Sequence, residues 1–241
     1  MPTILAIDTA TEQCSVALGH NGQVYLQAQV APQKHANLVL EQIQTVLQAA
    51  GLTRSDIDMI GYGAGPGSFT GVRIALATAQ ALALGLDKKV FAVSDLKLLV
   101  ADELLDAKTQ PGALGLACTD ARMGEVYYAL FARSVSGIEP VLSEQVVKPE
   151  QAVSAITTAL AEHGGGAALR VLAGTGIALL QQHGLVLPPE LSCELKLYPR
   201  ADSIITVAQV QPPVLVDPAQ AEPLYCRNEV TWKKVSEQKA H

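Results

Sequence analysis

Basic side chains are scarce in this chain of 241 residues: 17 Lys and Arg stand against 23 Asp and Glu, a formal charge of −6. Phosphate recognition displaces counterions with clustered cations, so the balance argues against free-standing nucleic-acid binding. Only Lys88-Lys89 and Lys233-Lys234 form small basic spots. Aromatics are scarce as well, at 4% of residues. The four cysteines, Cys14, Cys118, Cys193 and Cys226, include no pair at metal-ligand spacing and none placed like a small disulfide scaffold. They read as small hydrophobes in a reducing compartment. No charged segment precedes an apolar stretch at the start of the sequence. The longest charge-free helical run, residues 74–86, has 13 residues, where a membrane span needs about 20. A soluble cytoplasmic protein, away from membranes, is the expectation.

Hydrophobic residues make up 49% of the chain, and with so few aromatics the core must rest on Ala, Val, Leu and Ile, which suits an α/β protein. "TILAID" reads as a buried strand ending in Asp8, followed by the strands "CSVALG" and "QVYLQAQV" hinged on Asn21-Gly22. Helical spacing runs from His35 to Ala50, with Gly51 as its stop. "IDMIGYGA" is a strand, residues 70–86 a helix, "KVFAV" a strand and residues 95–106 a helix; "KTQPG" at 108–112 is the clearest linker. Beyond it the pattern restarts, with "ALGLACTD" ending in Asp120, "VYYALFAR", and "RVLAG" delivering Gly174-Thr175-Gly176 into a helix. Each half runs strand, Asp, turn, strand, and later strand, glycine turn, helix, which is a weak internal duplication. Two lobes, 1–108 and 109–231, with a cleft between them and a tail at 232–241, follow from this pattern. A late helix at 200–211 is expected to pack back on the first lobe.

The stretch "GAGPGSFTGVRIALATAQALALGL" looks at first like a phosphate-gripping loop. It fits neither the Walker spacing nor the dinucleotide fingerprint, and it contains no lysine. What remains is a tight Gly65-Pro66-Gly67 turn with Ser68 or Thr70 as helix N-cap. The helix itself carries only Thr78 and Gln80 as polar residues between Arg73 and Asp87. A helix apolar all round has to be covered on its far side, by this chain or by another subunit. Leu38 and Leu40 extend the preceding helix beyond one stripe in the same way. Leu38, Val39, Ile43, Val46, Arg73, Ala77, Gln80, Ala81 and Leu84 are the candidate interface residues.

The segments "LAIDTATEQCSVAL", "GYGAGPGSFTGVRIALATAQALALG", "DARMGEVYYALF", "YPRADSI" and "PLYCRNEVTWKK", spread over nearly the whole chain, resemble the bacterial TsaB (YeaZ) family of the actin-like superfamily. The resemblance implies a duplicated, ribonuclease H-like two-lobe α/β fold and a role in making threonylcarbamoyladenosine in tRNA. It also implies a heterodimer with the catalytic paralogue TsaD through helices of the first lobe, with TsaE as a further ATPase and tRNA reached through the complex. In the absence of that partner, a homodimer is expected.

Actin-like ATPases hold phosphate on two glycine-bearing hairpins. Here the first is Asp8-Thr9-Ala10-Thr11, with the Ala10 methyl in the glycine position, and the second is Asp120-Ala121-Arg122-Met123, with bulky side chains in both. The catalytic paralogue binds metal with two histidines four apart, but His35 is followed at that spacing by Val39. Asp8, Thr9, Asp120, Gly174 and Gly176 are therefore expected to mark a vestigial nucleotide cleft, without catalysis, cofactor or metal. His35 is expected to be an exposed residue at a helix start. The alternative is an autonomous actin-like ATPase or kinase using Asp8 and Asp120; a metallopeptidase ranks last, because the second histidine is absent.

Overall fold

The computed structural model describes residues 1–187, 191 and 196–226, so Cys193, Lys233-Lys234 and the tail at 232–241 lie outside the described residues. Strand β1 (Ile4–Asp8) is buried at all five positions, as a strand covered on both faces must be. It pairs antiparallel with β2 (Gln13–His20), which pairs antiparallel with β3 (Gln23–Val30). Asn21 and Gly22 make that second hairpin turn with φ of 48° and 79°, the left-handed pair that matches strand twist. On the other side β1 is parallel to β4 (Met59–Gly63), and β4 to β5 (Lys89–Val93), giving the order β3-β2-β1-β4-β5. Helices α1 (His35–Ala50) and α2 (Phe69–Leu86) follow β3 and β4, and α3 (Asp95–Leu105) follows β5.

The second half repeats this order with β6 (Leu114–Arg122), β7 (Glu125–Arg133), β8 (Ile138–Val147), α4 (Pro149–Glu162), β9 (Leu169–Ala173) and α5 (Ile177–Gln182), and then α6 (Ala201–Val210). Its sheet runs β8-β7-β6-β9, again with the first strand antiparallel to the second and parallel to the fourth. Lys196 forms a parallel bridge with Ala173 of β9, in the place where β5 lies beside β4. The duplication is thus fuller than the sequence pattern suggests, since β8 and α4 complete it.

Helices α3 and α6 fill the layer between the two sheets. One cluster joins Ile4, Ala6 and Phe91 of the first sheet to Leu96–Leu104 of α3, Ile204 and Ile205 of α6, and Ala117, Phe131 and Val171 of the second sheet. α1 and α2 cover the outer face of the first sheet, and α4 and α5 that of the second. Being enclosed by two sheets explains why α3 is buried along most of its length. Lys196 fastens this layer: its Nζ donates to Leu98 O (3.0 Å), Asp102 Oδ2 (2.8 Å) and Ser203 Oγ (2.7 Å), charge-assisted bonds that join α3 to α6.

After α6 the chain returns to the first sheet. Val216 bridges Val90, Lys89 pairs with Asp217, and residues 218–224 run beside α2. The last part of the span expected to belong to the second lobe therefore packs on the first, because the edge of β5 accepts it. Ile204 has no exposure, so Ile204→Ala is expected to lower the unfolding free energy by about 2–5 kcal/mol, read from urea melts. The loss should appear in a single transition, since both sheets share the middle layer; two separated transitions would contradict that sharing.

Candidate functional site

The glycine turn after β4 is spent on the first hairpin. A Cβ on Gly67 would stand 2.4 Å from Ala10 O, and one on Gly71 would stand 2.1 Å from Thr9 O, so neither position admits another residue. Across this contact Ser68 N donates to Ala10 O (2.7 Å) and Thr9 Oγ1 donates to Gly71 O (2.7 Å). Ser68 Oγ accepts from Gly71 N (3.3 Å), making Ser68 rather than Thr70 the N-cap of α2. The amides of Ser68 and Gly71 at this helix head are already engaged, which leaves fewer donors for an anion. Asp8, Thr9 and Ala10 are fully buried.

The second half makes the same contact. Gly174 and Gly176 lie so close to β6 that their Cβ atoms would stand 2.2 Å from Cys118 O and 2.6 Å from Cys118 Sγ. Thr175 Oγ1 accepts from Asp120 N (3.2 Å). Asp120 Oδ1 accepts from Arg122 N (2.7 Å), and the Arg122 guanidinium reaches Glu12 of the first hairpin (2.9 Å). Asp8 instead turns its carboxyl toward Asp95. Asp8 and Asp120 thus have separate partners, and each carboxylate accepts from the amide two residues on in its own hairpin turn. Burial pushes the Cys14 thiol up to about 12 and the Cys118 thiol up as well, so neither is a ready nucleophile.

His35 is buried rather than exposed, and its Nε2 has no hydrogen-bond partner among the described residues; at the head of α1 it is near enough to act electrostatically on Asp8. Elsewhere His20 bonds Thr3, His163 bonds Ala159 O and His183 pairs with Glu150. Among the described residues no three His, Cys, Asp or Glu side chains are grouped to hold a metal ion.

The outer face of α2 is the other candidate. Val72, Ala75, Ala79 and Ala83 pack on the sheet. Phe69, Arg73, Ala77, Ala81 and Leu84, spaced four, four, four and three apart, form one row on a different face. Ala77 and Ala81 are exposed, Phe69 is 68% exposed and Leu84 78%. Length and mean hydropathy (1.4 over 18 residues) would suffice for a membrane span, and the helix is longer than the charge-free run 74–86. Here it lies along a sheet instead.

Arg73 meets no carboxylate among the described residues. Its guanidinium sits 3.3 Å from the Phe69 ring centroid and 5.5 Å from that of Tyr225, and it donates to Phe69 O and to the Tyr225 hydroxyl. Gln80 is also occupied within the chain, donating to Pro218 O (2.8 Å). Val39, Ile43 and Val46, expected at the interface, are almost wholly buried against their own sheet; their spacing is that of the inward stripe. On α1 the outward apolar residue is Leu40, 61% exposed, with Leu38 partly buried. The sequence signal for Phe69, a large apolar residue directly after an N-cap serine, passes unnoticed without the cap geometry.

The family model for TsaD, tRNA N6-adenosine threonylcarbamoyltransferase, matches residues 26–193. The tRNA threonylcarbamoyladenosine biosynthesis protein TsaB of Escherichia coli is 39% identical over 240 residues, covering 96% of this chain and 97% of that one. Its namesake in Haemophilus influenzae is 35% identical, covering 97% of each. A crystal structure of a Pseudomonas aeruginosa protein described as similar to the peptidase YEAZ aligns with a TM-score of 0.79 at 34% identity, over 94% of this chain and all of that one. The duplicated two-sheet fold and these full-length likenesses agree, and the chain belongs to the TsaB family of tRNA threonylcarbamoyladenosine biosynthesis proteins.

Proposed function

We propose that this chain is the non-catalytic partner subunit in threonylcarbamoyladenosine synthesis, docking a TsaD-type catalytic paralogue on the outer face of α2. The exposed row Phe69, Ala77, Ala81 and Leu84 carries this reading. It is an apolar stripe on a helix already packed on its other side, with small residues at its centre that let a second helix approach closely. Arg73 between two aromatic rings adds the residue types that dominate interface energetics. Leu38 and Leu40 extend the face onto α1, while Val39, Ile43 and Val46 support it from beneath. Lacking the paralogue, the same face joins two copies of the chain. A TsaE-type ATPase and tRNA engage through the assembled complex, in the cytoplasm.

The buried first hairpin supports a subunit without its own nucleotide chemistry. Asp8 and Thr9 lie beneath the head of α2, and the kinase or ATPase alternative is not favoured.

Ala81→Glu places a charge in the middle of the row. Binding to the TsaD-type paralogue, measured by calorimetry, is expected to weaken by about 3–5 kcal/mol, a factor of roughly 10²–10⁴, with an unchanged circular dichroism spectrum. Unaltered affinity in a folded variant would place the interface elsewhere. Titration of the isolated chain with MgATP is expected to give no saturable heat. ATP binding that Asp8→Ala abolishes would restore the kinase alternative.

A further inference from the structure

Three chain segments meet under the glycine turn with two acids between them. Asp8 ends β1, Asp95 opens α3, and both are buried, Asp95 at 2% exposure. Each uses one oxygen on a backbone amide: Asp8 Oδ1 accepts from Ala10 N (2.9 Å), and Asp95 Oδ2 accepts from Gly65 N. Asp95 N returns a bond to Gly65 O (2.8 Å). The remaining oxygens, Asp8 Oδ2 and Asp95 Oδ1, have no donor among the described residues. They share one side of Gly63, 3.0 and 2.6 Å from where its Cβ would stand, and the carboxyls lie within hydrogen-bonding reach of each other.

Two carboxylates buried this deeply and facing one another are costly to ionise together, through lost hydration and mutual repulsion. Lys196 and His35 lie near enough to favour the ionised form of Asp8, but burial outweighs them and the net direction is upward. Lys196 is held by Asp102, Leu98 O and Ser203, His35 stands at the head of α1 with Nε2 unpaired, and Cys14 donates to Gln42. Arg73 belongs to the outward row of α2, on Phe69 and Tyr225.

We propose that Asp8 and Asp95 share one proton, forming a buried acid–acid hydrogen bond that clasps the first hairpin, the glycine turn and the start of α3 together. Asp8 Oδ2 and Asp95 Oδ1 are its two ends. Loss of that proton at alkaline pH leaves two facing charges and loosens the head of α2. The direction of titration agrees: burial holds both carboxyls above the usual range, and the neighbouring Asp8 charge pushes Asp95 up further. The clasp lies inside this chain and does not depend on the identity of any partner.

The sign of the pH dependence follows. A group whose folded pKa is raised stabilises the fold fully below the unfolded carboxyl value, near 4. That contribution is lost as the pH rises through the folded value. Asp95→Asn mimics the protonated pair, because its amide can donate to Asp8 Oδ2 while its oxygen keeps the Gly65 bond. In urea melts between about pH 5 and pH 9, the wild-type unfolding equilibrium should shift toward unfolding relative to Asp95→Asn, by up to tenfold per pH unit for one proton. Parallel profiles would overturn the proposal. Infrared spectra of the wild-type chain, with its aspartate carboxyls isotopically labelled, need no variant. A protonated carboxylic C=O band at neutral pH, vanishing on alkalinisation, is expected; full ionisation of every aspartate at neutral pH would overturn the shared proton.

Discussion

A backbone-to-backbone contact governs this molecule. Thr9 and Ala10 press against Gly67 and Gly71 so closely that no side chain fits between them. The contact closes the hairpin on which actin-like relatives would hold phosphate. It fixes the head of α2, and with it the angle at which the exposed row faces outward. It also encloses Asp8, leaving that carboxyl to find its partner in Asp95 rather than in solvent. The burial of Asp8 and the fixed pose of α2 are, in this fold, two results of one close approach.

The second half repeats the contact with Cys118 in place of the Thr9-Ala10 segment, yet departs at the hairpin tip. Arg122 and Met123 occupy left-handed backbone, with φ of 65° and 56°, a conformation that costs a residue with a side chain roughly 1–2 kcal/mol. The Arg122 guanidinium partly offsets this by reaching Glu12. The exposed pair is worth little as a stability term, but it links the tips of the hairpins that open the two halves.

The sequence was most readable where the chain signals itself locally. Helix α1 runs over the residues its spacing predicts, and α2 starts only one residue before its expected start, at Phe69, because Ser68 supplies the cap. β8 gave no such signal: few of its residues are buried and Pro140 interrupts its alternation. The glycine turn was legible as packing rather than phosphate binding, since no lysine accompanied it. Apolar spacing on α1 does not tell an inward stripe from an outward one, and Val39, Ile43 and Val46 lie on the inward one. Asp95 resembled an ordinary acid in the first turn of a helix. Its meeting with Asp8 depends on β5 lying beside β4, a relation that no local pattern carries.

The return of the chain to its own beginning has a consequence for biosynthesis. Residues 216–224 bind the edge of β5 and the flank of α2, and Tyr225 completes the cradle around Arg73. The first lobe emerges from the ribosome early, but the surface beside its outer helix stays unfinished until the closing segment has been synthesised. A nascent chain whose first lobe has already folded therefore still lacks the segment that covers this flank of α2, since Gln80 takes its partner 138 residues further on.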